Sequence, residues 1–137
     1  MSVAALITWV LTAGGGFVLL VLWLKNGGMA QREKGRIRPA IILTHFALAA
    51  AGLVLWVIYV ANDSTTVAWV AFGLLVVVAL IGFTMLGIWL SQRRGSAAPA
   101  SPAAEQRFPV AIVGLHGLLA ATTLVLVFLA AAGVGGS

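Results

Sequence analysis

Four long uncharged runs are the feature that most constrains this chain. They cover residues 3–24, 39–61, 67–90 and 109–132, and each is at least 22 residues long. An α-helix rises about 1.5 Å per residue, so about 20 residues cross a hydrocarbon core of roughly 30 Å. A helix in lipid satisfies its own backbone hydrogen bonds, whereas an open strand does not. The four runs therefore predict four transmembrane helices.

The composition supports this prediction and excludes several other classes. Of 137 residues, 62% are hydrophobic and 8% are charged, whereas soluble domains carry about a quarter charged residues. A body this small cannot hide so much apolar surface from water, so lipid must be its main partner. The absence of cysteine excludes disulfides, thiolate zinc sites and iron–sulfur clusters. We predict a single all-α membrane domain over residues 1–137 that binds no nucleic acid.

The positive charges predict an orientation in the membrane. All eight lysines and arginines lie in residues 25–38 and 91–108, whereas residues 62–66 carry only Asp63 and neither tail is charged. Positively charged loops of multi-pass proteins stay in the cytoplasm. We therefore expect a multi-pass protein of the plasma or inner membrane with both termini outside. Trp23 and Trp89, at the cytoplasmic boundary, are interpreted as interface anchors.

The two halves of the sequence resemble each other. The first run contains Gly-Phe-x-x-Leu-x-x-Trp-Leu from Gly16, and the third run contains the same residues at the same spacing from Gly82. Residues 40–61 match residues 111–132 at ten of 22 positions, and His45 falls on His116. Corresponding helices cross the membrane in the same direction, so the repeat is parallel. This predicts an up-down bundle of two tandem helical hairpins related by a pseudo-two-fold axis along the membrane normal.

The two histidines of the chain lie at one depth in this arrangement. His45 follows Pro39 by six residues and His116 follows Pro109 by seven, which places both about 9–10 Å inside the boundary by helix rise. An ionisable residue within the membrane suggests a functional site because burying it without a partner is costly. Small residues on the same helical faces predict a slot beside the imidazoles: Ala49, Gly52, Ala120 and Thr123.

Two imidazoles without a nearby carboxylate or thiolate favour haem over a bare metal ion. A mononuclear site formed by the protein alone usually needs three or four ligands, whereas haem needs only two because the porphyrin supplies four nitrogens. His45 and His116 are therefore the predicted metal ligands of one haem near the cytoplasmic side. Arg38 and Arg107 are candidates to pair with its propionates. Two alternatives remain: a hydrogen-bonded structural pair of histidines, and a different ligand.

These features together resemble the four-helix membrane cytochromes of b type. The resemblance covers the architecture of all four helices and, among functional residues, only His45 and His116. It implies one haem b, one-electron transfer, and a quinol or a redox partner subunit as partner. Two imidazole ligands leave no open position on the iron, which disfavours oxygen chemistry. The resemblance does not decide whether the protein is an enzyme.

The competing hypothesis is an accessory or assembly subunit of a membrane complex, with structural histidines. A proton-coupled transporter is disfavoured because Glu33, Asp63 and Glu105 all fall between the predicted helices. The small residues on the helix faces also permit a homodimer.

Overall fold

Four α-helices form the structure, as the sequence predicts. The computed structural model describes residues 1–31, 36–95 and 102–134. The helices are α1 (Ser2–Lys25), α2 (Pro39–Asn62), α3 (Thr65–Arg94) and α4 (Val110–Ala131), and the described residues contain no strand. All four helices are long enough and apolar enough to cross a membrane. Two short 3₁₀ turns lie between them, Gly28–Ala30 and Ala104–Arg107.

Local sequence signals explain where α2 begins and ends. Pro39 occupies its first turn, where a missing N–H costs nothing because that group has no partner within the helix. Asp63 ends α2 in a left-handed conformation with φ of 54°, and its N–H donates to the carbonyl of Tyr59 at 2.8 Å. Only Asp63 and Ser64 separate α2 from α3, so these two helices are antiparallel neighbours.

The helices pack in a ring in which the first and last helices of the chain form one of the two closest pairs. The closest packing joins α1 to α4 and α2 to α3, and looser contacts join α1 to α2 and α3 to α4. We call the end that carries Lys25, Arg38, Arg94 and Arg107 the basic end. The end that carries Ser2, Asp63 and Ala131 is called the opposite end.

The half of the bundle toward the opposite end has a closely packed interior and is here called the packed half. Trp9, Trp56 and Tyr59 fill it, with ring centroids 6.2 Å apart for the first two and 4.7 Å for the last two. Alanines and other small residues of the facing helices surround these rings. The buried positions correspond between the repeats. On α1 they are Ala5, Trp9, Thr12 and Trp23, which match Ala71, Leu75, Val78 and Trp89 on α3; on α2 they are Gly52, Trp56 and Tyr59, which match Thr123, Val127 and Ala130 on α4.

The remaining stretch of the bundle, toward the basic end, contains no buried residue. This stretch, here called the histidine half, comprises residues 13–22, 39–51, 79–88 and 110–122 of the four helices. Four packed helices normally bury residues at every turn of their inward faces. In this half even the residues that face the neighbouring helices, His45 and His116 among them, stay partly accessible.

Five of the six Trp and Tyr residues are not placed as membrane anchors. Trp69 is 44% exposed, whereas the other five are buried in the protein: Trp9, Trp23, Trp56, Trp89 and Tyr59. The interpretation of Trp23 and Trp89 as anchors in the lipid interface is therefore wrong, because their indoles pack inside the basic end. The composition of residues 95–102, rich in alanine, serine and proline, predicts a flexible linker. Most of this segment, residues 96–101, lies outside the described residues.

Candidate functional site

The structure brings the two histidines together in the histidine half. His45 lies on α2 and His116 on α4, two helices on opposite sides of the ring. Their ring centroids are 6.4 Å apart and the ring planes meet at 64°. Both side chains are partly buried. The sequence predicted that these residues share a level, and the structure shows that their rings are also neighbours.

Each imidazole is held by a backbone carbonyl of the helix beside it. His116 Nδ1 lies 2.9 Å from the carbonyl oxygen of Thr12 on α1, and His45 Nδ1 lies 3.1 Å from that of Val78 on α3. Thr12 and Val78 occupy the same position in the two repeats, 66 residues apart. Carbonyls of a helix interior are normally committed to the helix, so these oxygens accept a second hydrogen bond.

These hydrogen bonds decide which nitrogen of each ring carries the proton. A carbonyl oxygen only accepts, so Nδ1 must donate in both rings. A neutral imidazole protonated at Nδ1 has its free lone pair on Nε2. Within the described part of the chain, no hydrogen bond occupies either Nε2. The site thus presents two nitrogen bases, each oriented by the kind of carbonyl contact that fixes histidine ligands in metal sites.

Two glycines at matching positions of the repeat leave room for the rings. A Cβ atom at Gly16 would lie 2.9 Å from Cε1 of His116, closer than such atoms approach. At Gly82 the corresponding distance to Cε1 of His45 is 3.4 Å. Gly15 also faces His116, whereas a Cβ at Gly14 would meet nothing within 4 Å. The glycine run of α1 is therefore a close helix crossing over His116, as its composition indicates.

Of the four small residues predicted to form a slot, two lie in the histidine half and two lie in the packed interior of the other half. Ala49 and Ala120 are partly accessible in the histidine half. The room beside Gly52 is occupied by the indole of Trp9, which a Cβ at Gly52 would approach to 3.0 Å. Thr123 is fully buried. Gly52 and Thr123 therefore belong to the packed half, and only the two alanines adjoin the space around the imidazoles.

A pair of threonines forms the boundary between the two halves. The hydroxyl oxygens of Thr12 and Thr123 are 3.2 Å apart, and each hydroxyl also lies within hydrogen-bonding distance of a carbonyl one turn earlier in its own helix. Thr12 therefore contributes its side chain to this boundary and its carbonyl to His116. The contact links α1 and α4 directly beside the imidazole.

The two arginines proposed as anion partners lie at the basic end. Arg38 precedes the first residue of α2 and Arg107 ends the second 3₁₀ turn. Both side chains are exposed, and neither guanidinium has an ion pair or hydrogen bond with the described residues. The structure places them at the same end as the histidine half and does not bring them into contact with either imidazole.

The sequence alone did not reveal a buried carboxylate that closes the basic end. Glu105 lies in the second 3₁₀ turn and has no exposed surface. Its Oε1 accepts from the N–H of Ile37 at 2.8 Å and from the amide of Gln92 at 2.7 Å, and its Oε2 accepts from the amide of Gln31 at 2.9 Å. Its backbone carbonyl accepts the indole N–H of Trp89 at 3.0 Å. Glu105 thereby joins the loop after α1, the end of α3 and the segment before α4.

No protein-family model, curated protein or solved structure shows a match to this chain. Among the described residues no group of three or more histidine, cysteine, aspartate or glutamate side chains could hold a metal ion. The geometry of the two imidazoles is therefore the basis for a functional conclusion.

Proposed function

We propose that this protein is a membrane cytochrome of b type that holds one haem between His45 and His116 and transfers single electrons. The observation that carries the proposal is the pair of neighbouring imidazoles, each with Nδ1 bonded to a carbonyl and Nε2 left as a base. When bound, haem supplies a one-electron couple, and two imidazoles leave it no open position for oxygen.

The spacing of the rings fits two ligands on one metal ion. A metal–imidazole bond is about 2.0 Å long and a ring centre lies roughly 1.1 Å behind its nitrogen, so two imidazoles on opposite sides of one ion would have centroids about 6.2 Å apart. The observed separation is 6.4 Å. Two protein ligands are too few for a typical bare-ion site but suffice where a porphyrin provides the other four.

The space around the rings supports the same conclusion. The histidine half buries no residue of its own, while both neighbouring regions, the packed half and the basic end, are well filled. A flat, mostly apolar group suits such an interior. Arg38 and Arg107, exposed at the nearer end, provide the positive charge that propionates require.

We further propose that the bundle is a duplicated hairpin with a pseudo-two-fold axis along the membrane normal. In support, matched residues make matched contacts: His45 with Val78 and Gly82 corresponds to His116 with Thr12 and Gly16. The positive charges support an orientation with the basic end in the cytoplasm and the termini outside the plasma or inner membrane.

One observation favours a second candidate, an accessory subunit with structural histidines. Each histidine already joins two helices through its Nδ1, which is what a structural histidine in a membrane bundle does. The two candidates differ over Nε2: a structural pair needs no further partner there, whereas a cytochrome uses both atoms as ligands.

The visible spectrum tests the proposal. The full chain, produced with a supply of haem and purified in detergent, is expected to contain one haem per chain and to give sharp bands after reduction with dithionite. His45→Ala and His116→Ala should each lose the colour or become high-spin, because one axial ligand is gone. Thr122→Ala, an exposed residue on α4 whose hydroxyl bonds only to its own helix, is the matched control. A colourless wild-type protein would favour the accessory subunit.

A further inference from the structure

The last turn of α3 carries two arginines that the proposed haem site does not use. The apolar run of α3 ends at Leu90, but the helix continues to Arg94, which lies four residues, or about 6 Å, further along the axis. The head-group region on each side of a bilayer is roughly 5–7 Å thick. A membrane-spanning α3 therefore places Arg93 and Arg94 among the lipid head groups.

The charges of these two arginines are not neutralised by the described part of the protein. Both side chains are exposed, and neither guanidinium has an ion pair or hydrogen bond with the described residues. The Arg93 guanidinium lies 4.9 Å from the ring centroid of Trp89, a contact that positions the group and leaves its charge in place. Glu105 is fully buried and bonded to neutral donors, and no other acidic residue that the structure describes lies at the basic end.

An exposed apolar stripe leads along α3 to these arginines. Phe83, Gly87, Leu90 and Arg94 are spaced by four, three and four residues, so they lie on one face of the helix. All four are exposed, Phe83 to 67%, and a Cβ at Gly87 would meet nothing within 4 Å. Since Gly87 has no side chain, the surface is lower between Phe83 and Leu90. This face thus joins an apolar surface within the membrane to positive charge at its boundary.

We propose that this face of α3, from Phe83 to Arg94, binds an anionic phospholipid. One acyl chain lies along the apolar stripe, and the phosphate group accepts hydrogen bonds from Arg93 and Arg94, whose planar guanidinium groups match its geometry. An acidic soluble protein would contact the arginines alone, whereas a lipid covers the charge and the stripe together. The orientation proposed above places this face in the cytoplasmic leaflet, whose surface is negative because of anionic lipids.

The first repeat offers a natural comparison within the same chain. Phe17 and Leu24 correspond to Phe83 and Leu90 and are 56% and 46% exposed. However, α1 ends at Lys25, one residue after Leu24, so it has neither the extra turn nor the two arginines. The surface of α1 is therefore similarly apolar with a single charge, and it should prefer anionic lipid less strongly.

Quenching by brominated lipids tests the inference at each of these helices separately. Because the chain has no native cysteine, a bimane label can be attached at Thr84→Cys on α3 or at the matching Val18→Cys on α1, both exposed positions. The full chain is reconstituted with phosphatidylglycerol or phosphatidylcholine brominated in mid-chain. The choline group cancels the phosphate charge of the second lipid. At Thr84→Cys we expect phosphatidylglycerol to bind about threefold more tightly or better, with a smaller preference at Val18→Cys.

Replacing both arginines should remove the preference on α3. Arg93→Gln combined with Arg94→Gln should lower it to the value on α1, whereas Arg93→Lys combined with Arg94→Lys keeps both charges and should retain most of it. Lys25→Gln is the matched control, because it removes a positive charge from the basic end on α1, across the ring from α3. It should leave the preference on α3 unchanged.

Equal binding of the two lipids on α3 would overturn the inference and would leave the arginines to a soluble acidic partner. A preference that survives the double glutamine substitution, or that Lys25→Gln lowers equally, would also overturn it, because the charge of the whole end would then attract the lipid. So would a preference abolished by inorganic phosphate but not by chloride at equal ionic strength, which would identify a site for a free anion. The assay needs no haem, so its outcome is independent of the spectral test of the histidines.

Discussion

Gly16 lets the ring of His116 approach the backbone of α1. The two residues lie so close that a methyl group would meet the imidazole, and this contact accompanies the hydrogen bond to the carbonyl of Thr12. Gly82 allows the same approach of His45, with slightly more room. The orientation of each imidazole thus depends on the missing side chain of a glycine on the neighbouring helix.

Replacing Gly16 by alanine should displace His116 and weaken haem binding. We expect Gly16→Ala to reduce haem affinity about tenfold or more, as loss of an orienting contact typically does at metal sites. Gly82→Ala should have a smaller effect, because its Cβ would lie 3.4 Å from the ring and not 2.9 Å. Haem transfer to apomyoglobin, followed by absorbance, measures the change.

Gly14→Ala is the matched control for this series, because a Cβ there meets nothing within 4 Å. Equal haem affinity of Gly16→Ala and Gly14→Ala would contradict the role given to Gly16. A further check needs no haem: the apoprotein of Gly16→Ala should unfold more readily than that of Gly14→Ala.

The sequence indicates the two candidate ligands, but it does not indicate the carbonyl groups that orient their rings. The two histidines stand out because they are the only ones and fall at matching positions. Their carbonyl partners carry no side-chain signal, since any backbone carbonyl can accept. Which one does so depends on the rotation of α1 and α3 about their axes. Periodicity alone also does not show that Gly52 would be filled by Trp9.

Among the elements, the segment around Glu105 is the one whose burial is hardest to predict from the sequence. A glutamate between two helices is normally interpreted as exposed, because charged residues are almost never fully buried without partners. Glu105 is buried because two other segments, the connection between α1 and α2 and the end of α3, supply three donors, all of them neutral. Its burial therefore arises from tertiary contacts and not from a local pattern.

Removing this carboxylate should open the basic end. Glu105→Ala leaves the N–H of Ile37 and the amides of Gln31 and Gln92 without this acceptor, and buried donors without partners cost about 1–3 kcal/mol each. We expect a loss of about 3 kcal/mol in the free energy of unfolding, measured by titration with sodium dodecyl sulfate. Glu105→Gln should lose less, because one accepting oxygen remains.

Gln106→Ala provides the control for this pair, since the neighbouring Gln106 is only partly buried and shares none of these contacts. If Glu105→Ala and Gln106→Ala unfold alike, the carboxylate does not hold the three segments together. Limited proteolysis gives a second measurement: the loop after α1 should be cut faster in Glu105→Ala than in wild type.

For the whole molecule, the number and bounds of the helices follow from hydropathy. Lipid requires continuous apolar helices, and the four uncharged runs agree with the observed helices to within a few residues. The short connection makes α2 and α3 neighbours, but the close pairing of α1 with α4 does not follow, because it depends on side-chain packing inside the bundle. This pair joins residues far apart in the chain.

The orientation of the bundle can be tested on a chain that has no native cysteine. Asn62→Cys, at the opposite end, should react in intact cells with a membrane-impermeant maleimide. Gly95→Cys, at the basic end, should react only after the cells are permeabilised, because positive segments stay inside. Both positions are exposed, so neither depends on unfolding. The reverse labelling pattern would contradict the proposed orientation.

The pairing of the helices has a consequence for how a large flat molecule gains entry. Each imidazole bonds to a carbonyl inside its own close pair: His116 within α1 and α4, and His45 within α2 and α3. The looser seams run between these pairs. If the bundle opens along these seams to admit such a molecule, the two helix pairs separate from each other. Each imidazole then keeps its hydrogen bond, because its carbonyl partner belongs to the same pair.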